Sequence, residues 1–470
     1  MVNGATYLRR ELLIRLVRAF DAGVLRDEID RIPVKLRPKE ADASRCCVYH
    51  DRAVIKYRLM ALLGISAEEE SDEAKTLAAY LDEVIGAVPV REKEDVQPEC
   101  RHAPLSVCGP ACSGCPDSQV VSTSNCRGCF ARPCVYSCPK NAITVTGGHS
   151  VIDHEKCIKC GKCIAACPYH ALVKTTVPCE EACPVGAIRK NERGVAEIDF
   201  ARCIFCGKCF MACPFGAVME RSQIMGVLTA MRRGEKLVAM VAPAADRQFP
   251  GTVEQLLSAC VKAGFSDVIE VALGAEKTTA HETDEFLERM AADPKTFMTT
   301  SCCPAYVNLI GKHLPDLIHH VSLTPSPMVY AHEMVRQENA AAKTVFIGPC
   351  VAKRSEARRK GIDFVLSFEE LGAILAGRKI DVLACEPYPV SRPAATSARH
   401  FARSCGVTEA VLAEATRKIP DFRLAAKQIN GIDRKTCAML KLYASGKMPA
   451  NFLEVMACTG GCVNGPCSLA

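Results

Sequence analysis

Apolar positions recur at helical spacing near the start of the chain. Leu8, Leu12, Leu13, Leu16, Val17 and Phe20 fall on one face of a 3.6-residue repeat and predict a helix. Residues 51–63 and 73–85 carry the same pattern, so 1–95 reads as a small N-terminal helical region, a packing and docking module. From 96 to about 223 the pattern breaks into short apolar segments among Cys, Pro and Gly. So little apolar material cannot make an ordinary core, and something inorganic is expected to hold this stretch together. Past Met225 regular patterning returns. Runs at 236–241, 267–271, 297–300 and 344–347 predict buried strands, with helices at 253–263 and 283–290 between or beside them. The fold expected is α/β over 224–470, preceded by an α+β region over 96–223 and the helical region over 1–95. At 470 residues the chain has room for two or three such units, each with its own core.

Bulk composition adds little: 49% hydrophobic, 24% charged and a formal charge of +6 describe an ordinary globular protein. That charge permits an acidic protein partner and does not call for nucleic acid. Thirty cysteines change the picture. They imply either disulfides in an oxidising compartment or metal clusters in a reducing one. The N-terminus places Arg and Glu among its apolar residues, unlike a secretory signal, and no stretch approaches the ~20 apolar residues of a membrane span. Reduced thiols in a cytoplasm, without a membrane, are the better expectation.

The spacing of those thiols is specific. Cys157, Cys160, Cys163 and Cys167, the last followed by Pro168, form a bacterial ferredoxin run, and Cys203, Cys206, Cys209 and Cys213 before Pro214 repeat it. Such runs wrap a [4Fe–4S] cubane with three thiolates and send the fourth to a neighbouring cluster. Cys126, Cys129, Cys134 and Cys138 make a variant with a longer middle gap, and Cys179 and Cys183 a partial run. Adding Cys112 and Cys115 gives sixteen thiolates, enough for four accessory cubanes. The first set expected is Cys126, Cys129, Cys134 and Cys167; the second is Cys157, Cys160, Cys163 and Cys138. The third is Cys203, Cys206, Cys209 and Cys183. Cys112, Cys115, Cys179 and Cys213 are left for a fourth, so three to four clusters are expected. Cys100 and Cys108 are spare, and either is a substitute for a member of the fourth set. Zinc also accepts four thiolates, but zinc ribbons seldom use a three-then-one spacing ending in proline. Ile158, Ile164, Phe205, Phe210 and Phe215 are expected to exclude water, and Cys46 and Cys47 to be buried small hydrophobes.

Three further segments bring cysteines from distant places: TSCCPA at 300–305, PCVAKRSE at 349–356 and EVMACTGGC at 454–462. Each cysteine is flanked by small residues or proline, which suits thiolates converging on one buried cluster. Lys353, three residues after Cys350, can set a cation against an anionic ligand there. Together the segments resemble the active-site signatures of [FeFe]-hydrogenases, in order and at suitable separations, over the chain from about Cys112 onward. The resemblance implies an H-cluster catalytic domain of two α/β lobes. Its H-cluster is a [4Fe–4S] cubane joined to a two-iron subsite with CO, CN and a dithiolate amine. Carried over by position, Cys303, Cys350, Cys458 and Cys462 would hold the cubane, Cys462 would bridge to the subsite and Lys353 would bond a cyanide. Cys302 matches the family's terminal proton donor. Glu282, Glu285 and Arg289, at i, i+3 and i+7 of a helix, and Ser322 match its proton relay. Read alone, Glu285 and Arg289 are as well a solvated helix pair.

The chain also departs from the family. Gly348 stands where a methionine is usual, which removes a bulky side chain near the subsite. Tyr306 replaces a tryptophan, Met328 stands where Gln is common, and Cys467 adds a thiol near the cluster. Only eight residues follow Cys462, leaving room for a small subunit or a longer chain. The function implied is reversible reduction of protons to H₂, of the ferredoxin hydrogenase type, with a small acidic electron carrier such as ferredoxin and with hydrogenase maturation proteins as partners. A hydrogen-sensing or otherwise low-activity hydrogenase-like iron–sulfur protein is the alternative. Sensors, however, usually alter the position of Cys302. The hydrogenase-like iron–sulfur assembly factors lack the Lys and Glu found here as Lys353 and Glu356, and a polyferredoxin has no use for the three signatures.

Overall fold

A computed structural model describes residues 3–469 apart from 45, 71, 87–102, 113, 447 and 448. The expected boundary at 95/96 and the spare Cys100 lie outside the described residues.

The first helix, Gly4–Asp21, starts where the Asn3 side chain accepts the Thr6 N–H at 3.0 Å. Its apolar stripe of Leu12, Leu13, Leu16, Val17 and Phe20 is buried. Helices follow at Val48–Leu62 and Leu77–Gly86, close to the expected segments. The stripe packs on the helix Phe368–Gly377, far along the chain, and Gly377 lets the two approach, since a Cβ there would sit 2.6 Å from Val17 Cγ1. The N-terminal helices and the first α/β lobe thus share one continuous hydrophobic core rather than holding separate ones. Cys46 and Cys47 are exposed, not buried, because the chain crosses the surface just before Val48–Leu62 begins.

The cysteine-rich middle is built of four two-stranded antiparallel ribbons. They use β1 (Leu105–Val107), β2 (Gln119–Ser122), β3 (Ile143–Thr146), β4 (His149–Ile152), β5 (Leu172–Thr175), β6 (Ile188–Lys190), β7 (Ala196–Ile198) and β8 (Val218–Glu220). The pairs are β1–β8, β2–β5, β3–β4 and β6–β7. Cysteines make up much of the interior, with only Val120, Ile143, Ile152 and Leu172 as other buried apolar residues in one of its clusters. Of the residues expected to shield the thiols, Phe205 is buried but Ile158 is turned outward, 57% exposed.

Two parallel sheets follow, one per lobe. The first has the order β10-β9-β12-β13, from β9 (Leu237–Val241), β10 (Asp267–Glu270), β12 (Lys343–Ile347) and β13 (Phe364–Leu366). The second has the order β11-β15-β14, from β11 (Met298–Thr299), β14 (Ala426–Asn430) and β15 (Phe452–Met456). The strands expected from apolar runs appear within a residue or two of their positions. A 22-residue helix, Val271–Ala292, runs straight on from β10, where only 283–290 was expected helical. Its first half carries small residues (Ala272, Gly274, Ala275, Thr278) that blur the apolar repeat. They are small for a reason: a Cβ on Gly274 would lie 2.1 Å from the Pro327 carbonyl oxygen of the adjacent helix Pro327–Glu338.

A buried ion network ties the regions together. Arg354 donates to Glu220 Oε1 from Nε at 2.7 Å and to Glu370 Oε2 from Nη2 at 2.6 Å. These residues come from the helix Ala352–Lys360, the end of β8 and the helix Phe368–Gly377.

Candidate active site

In the middle region the cysteines gather in groups. Cys138, Cys157, Cys160 and Cys163 line one small cavity, Cys183, Cys203, Cys206 and Cys209 a second, and Cys112, Cys115, Cys179 and Cys213 a third. These are the second, third and fourth expected sets. In the first set, Cys134 has Cys129 and Cys167 as its charged neighbours. Cys126 has its own donors: the Ser150 hydroxyl and nearby backbone N–H groups lower its pKa to about 7. Cys108 is fully buried away from the third cavity's lining, and burial raises its pKa to about 11.

A local device recurs at four of the Cys-Pro steps. The N–H four residues on donates to the cysteine sulfur: Ala142 to Cys138 at 3.3 Å, Ala171 to Cys167 at 3.4 Å, Ala187 to Cys183 at 3.2 Å and Ala217 to Cys213 at 3.3 Å. The residue before each alanine is left-handed: Asn141, His170, Gly186 and Gly216 have φ of 49–63°. The repeated Cys-Pro-x-x-Ala was present in the sequence as a signal for these donors, which stabilise a thiolate and a cluster behind it.

The C-terminal signatures meet between the two lobes. Cys302 and Cys303 follow β11, Cys350 follows β12 and Cys458 follows β15. Parallel sheets place ligands beyond the carboxyl ends of their strands, and here three such ends face one cavity of about 80 Å³. Cys302, Cys303, Cys350, Cys458 and Cys462 line it, with Cys206 of the third accessory set on the same wall. Apart from cysteines, Lys353 is the sole polar side chain in its lining among the described residues; Ala, Pro, Val, Met, Phe and Gly make up the rest. Four convergent thiolates in an apolar, water-excluding shell suit an iron–sulfur cluster, so the donor set fits the group expected there.

Lys353 is buried and donates to Glu356 Oε2 at 2.6 Å and to Ser326 Oγ at 2.9 Å. Burial works against its charge, but Glu356 and then Cys350 and Cys302 outweigh it, and its pKa lies above the ordinary lysine value. Ser326 was not expected from sequence; it fixes the ammonium from the neighbouring helix.

The residues expected to relay protons lie as neighbours between the surface and the cavity. Arg289, partly exposed, donates to Glu285 Oε1 at 2.5 Å, and Ser322 donates to Glu285 Oε2 at 2.6 Å. Thr324 Oγ1 adds a bond at 2.9 Å that the sequence did not announce. Burial raises the Glu285 pKa, but Ser322, the Leu323 N–H, Thr324 and Arg289 together bring it below the usual value. Glu282, one turn inward, is fully buried; neither carboxyl oxygen has a hydrogen bond of normal geometry, though the Ser301 N–H and the Ser322 hydroxyl lie near enough to favour its charge. Burial, then the charge of Glu285, pushes its pKa up to about 8. Cys302, next inward, is held well above the ordinary thiol value by burial and then by Glu282.

Comparison with known proteins bears on this arrangement. Residues 235–466 match the family described as iron only hydrogenase large subunit, C-terminal domain. Residues 150–173 match a 4Fe-4S binding domain and 176–217 a 4Fe-4S dicluster domain. The C-terminal half of the chain is thus similar to iron hydrogenase large subunits. The 4Fe-4S matches accord with [4Fe–4S] clusters in the middle region, and the C-terminal match accords with a cluster site in the cavity between the lobes. Iron hydrogenase 1 of Clostridium pasteurianum is 28% identical over 375 residues, 67% of this chain and 64% of the relative. The periplasmic [Fe] hydrogenase large subunit of Nitratidesulfovibrio vulgaris is 28% identical over 260 residues, 46% of this chain and 62% of the relative. A probable cytosolic Fe–S cluster assembly factor of Aedes aegypti is 25% identical over 267 residues, 46% of this chain and 56% of the relative. The chain thus spans a little under two thirds of the length of these relatives. A solved [FeFe]-hydrogenase structure from Chlamydomonas reinhardtii matches with a TM-score of 0.43 at 23% identity, covering 50% of this chain and 80% of that one.

The site also corrects one sequence expectation and places three others. Gly348 does not open space beside the cavity: a Cβ there would lie 2.7 Å from the Phe346 ring, which fills that volume and lines the cavity itself. Cys467 sits beside the cavity without lining it, its N–H on the carbonyl of Pro349, a lining residue, at 3.0 Å. It is fully buried and donates to Glu220 Oε2 at 3.1 Å, as part of the Arg354 network. Met328 lines the cavity, and Tyr306 is buried with its hydroxyl on Thr299 Oγ1 at 2.9 Å. Among the described residues no helix is long and apolar enough to cross a membrane.

Proposed function

We propose that the chain is an [FeFe]-hydrogenase of the ferredoxin-linked type, which reduces protons to H₂ reversibly in the cytoplasm. One observation carries this reading: the Arg289–Glu285–Glu282–Cys302 line and Cys206 of the third accessory set end at the same cavity. Protons and electrons would thus be delivered to one buried place. Cys303, Cys350, Cys458 and Cys462 would hold the H-cluster, installed by hydrogenase maturation proteins, and when bound it supplies the metal centre at which protons and electrons combine. Lys353 would orient it with a fixed ammonium.

The residues divide the proton work by pKa. Glu285, ionised at neutral pH, takes a proton from the surface side under Arg289. Glu282 is mostly protonated below its pKa of about 8 and passes its proton inward. Cys302 holds the last proton on Sγ, since its thiol stays neutral in its buried setting. Ser322 and Thr324 keep Glu285 in place rather than carry protons through themselves. On the electron side Cys179 neighbours Cys209 and Cys206 neighbours Cys303, so the fourth set would feed the third and the third the cavity. A small acidic ferredoxin suits a chain of formal charge +6.

A second reading, an iron–sulfur assembly factor, is supported by relatives of that description at 24–25% identity. The buried Lys353–Glu356 pair and the Cys302 thiol on the cavity wall favour the first. Hydrogen evolution from chemically reduced, matured protein tests it; full cubane content with no evolution would support the second.

A further inference from the structure

A second cavity, of about 440 Å³, is larger than the one between the lobes. It lies where the first helix crosses the end of the cysteine-rich region and the segment 465–468. One part of its lining is cationic: Arg9, Arg10 and Arg58. Their negative partners fall short. Arg9 and Arg10 share a single carboxylate, Glu369. The Glu220 carboxylate on the same wall is engaged by Arg354 and Cys467. Arg58 is nine-tenths buried and its one hydrogen bond runs from Nη2 to the Phe215 carbonyl at 2.9 Å. Its Nε, like Nε and Nη1 of Arg9, has no hydrogen-bond partner. A buried guanidinium without a counter-charge is costly, so a negative group is missing from this arrangement.

Another part of the lining is apolar, with Leu12, Ala61, Leu62, Phe210, Met211 and Val218, while Asn3, Thr6 and Ser468 add neutral polar groups. Arg9 lies over the Phe210 ring, 4.4 Å from its centre, which joins the two parts. A volume of this size suits a small organic molecule rather than an ion alone. Cys213, a member of the fourth set, is on the same wall. Cys108 and then Cys213 are the competing sources of negative charge for Arg58.

We propose that this cavity is a binding site for a small organic anion, its phosphate or carboxylate head between Arg9 and Arg58 and its apolar body against Leu62, Phe210 and Met211. Such a ligand sits beside an accessory cluster cysteine, and Gly465 lines both this cavity and the one between the lobes. The site does not depend on the chain's being a hydrogenase.

Anaerobic calorimetry on the cluster-loaded protein tests this with three probes: 1-naphthyl phosphate, inorganic phosphate and 1-naphthol. The expected result is one saturable site for naphthyl phosphate, at least about tenfold tighter than for either half-probe, in line with a charge-assisted contact plus apolar burial. Arg9→Gln should weaken naphthyl phosphate about tenfold or more, and Ala5→Trp, which fills the cavity from its rim, should abolish it. Iron content and visible spectrum report whether each variant has kept its clusters; a variant that loses them is replaced by Thr6→Trp, on the same wall. No saturable binding of naphthyl phosphate would overturn the proposal. So would equal affinity for phosphate alone, or binding unaltered in the variants, since the arginines would then serve only as counter-charge to the cluster at Cys213.

Discussion

Three side chains in a row divide the chemistry at the scale of single residues. Cys302 borders the cavity without belonging to the four proposed ligands, so its removal should separate catalysis from cluster binding. Cys302→Ser is expected to keep its iron and lose hydrogen turnover by a factor on the order of 10²–10⁴, because a hydroxyl releases its proton far less readily than a thiol. Wild-type turnover in that variant, with the cluster present, would show that protons arrive another way; Cys467, locked on Glu220, is no substitute. Glu282 gives a prediction in pH. Its carboxyl should remain protonated at neutral pH and ionise with a midpoint near 8. Infrared difference spectra of wild type against Glu282→Gln should show the protonated-carboxyl band at pH 7 fading over the next two pH units. A band lost near pH 4–5 would mean that water reaches the side chain. The linkage has a definite sign. A carboxyl whose folded pKa is raised binds its proton more tightly in the folded state, so stability is lost as pH rises from the ordinary carboxyl range through about 8. Glu282→Gln should therefore resist alkaline unfolding better than wild type.

Elements place those residues, and some of that placement was legible in the sequence while some was not. Strands with continuous apolar runs, such as β9 and β12, could be read because both faces are buried and the run itself is the signal. The ferredoxin runs could be read because thiolate spacing is fixed by cubane geometry, and the cysteines meet in the groups that spacing implied. The long helix Val271–Ala292 could be read only in part, since its first half is chosen for closeness and not for apolarity. Gly348 was misread because the sequence says what is missing at a position and not which neighbour fills the space, here Phe346. Close contacts between elements give a further test. Gly207 has φ 74°, and a Cβ there would meet Pro466 Cγ at 2.5 Å; Gly161, its counterpart in the other run, has φ 76° and open space around it. Gly161→Ala should cost only the left-handed strain, about 1 kcal/mol. Gly207→Ala should cost more and release iron from the third set, measured as a lower iron-to-protein ratio. Equal iron content in the two variants would show that the 465–466 segment does not brace that set.

For the whole molecule, the account is a proton line and an electron line that converge between two α/β lobes. The network of Arg354 with Glu220 and Glu370 bonds the cysteine-rich region to the first lobe, so the wire and the cavity hold a fixed relation. Full maturation should give about five cubanes and two further irons per chain, by Mössbauer spectroscopy and iron analysis. A total of only two or three cubanes would remove the fourth set, Cys112, Cys115, Cys179 and Cys213, from the wire. The central claim is that the cavity holds a hydrogen-converting cluster and not a cubane alone. Infrared spectroscopy of the matured protein tests it most directly. The account predicts carbon monoxide and cyanide stretches that shift when hydrogen is admitted. Cubane signals without any such bands, in protein matured alongside an active hydrogenase, would contradict it.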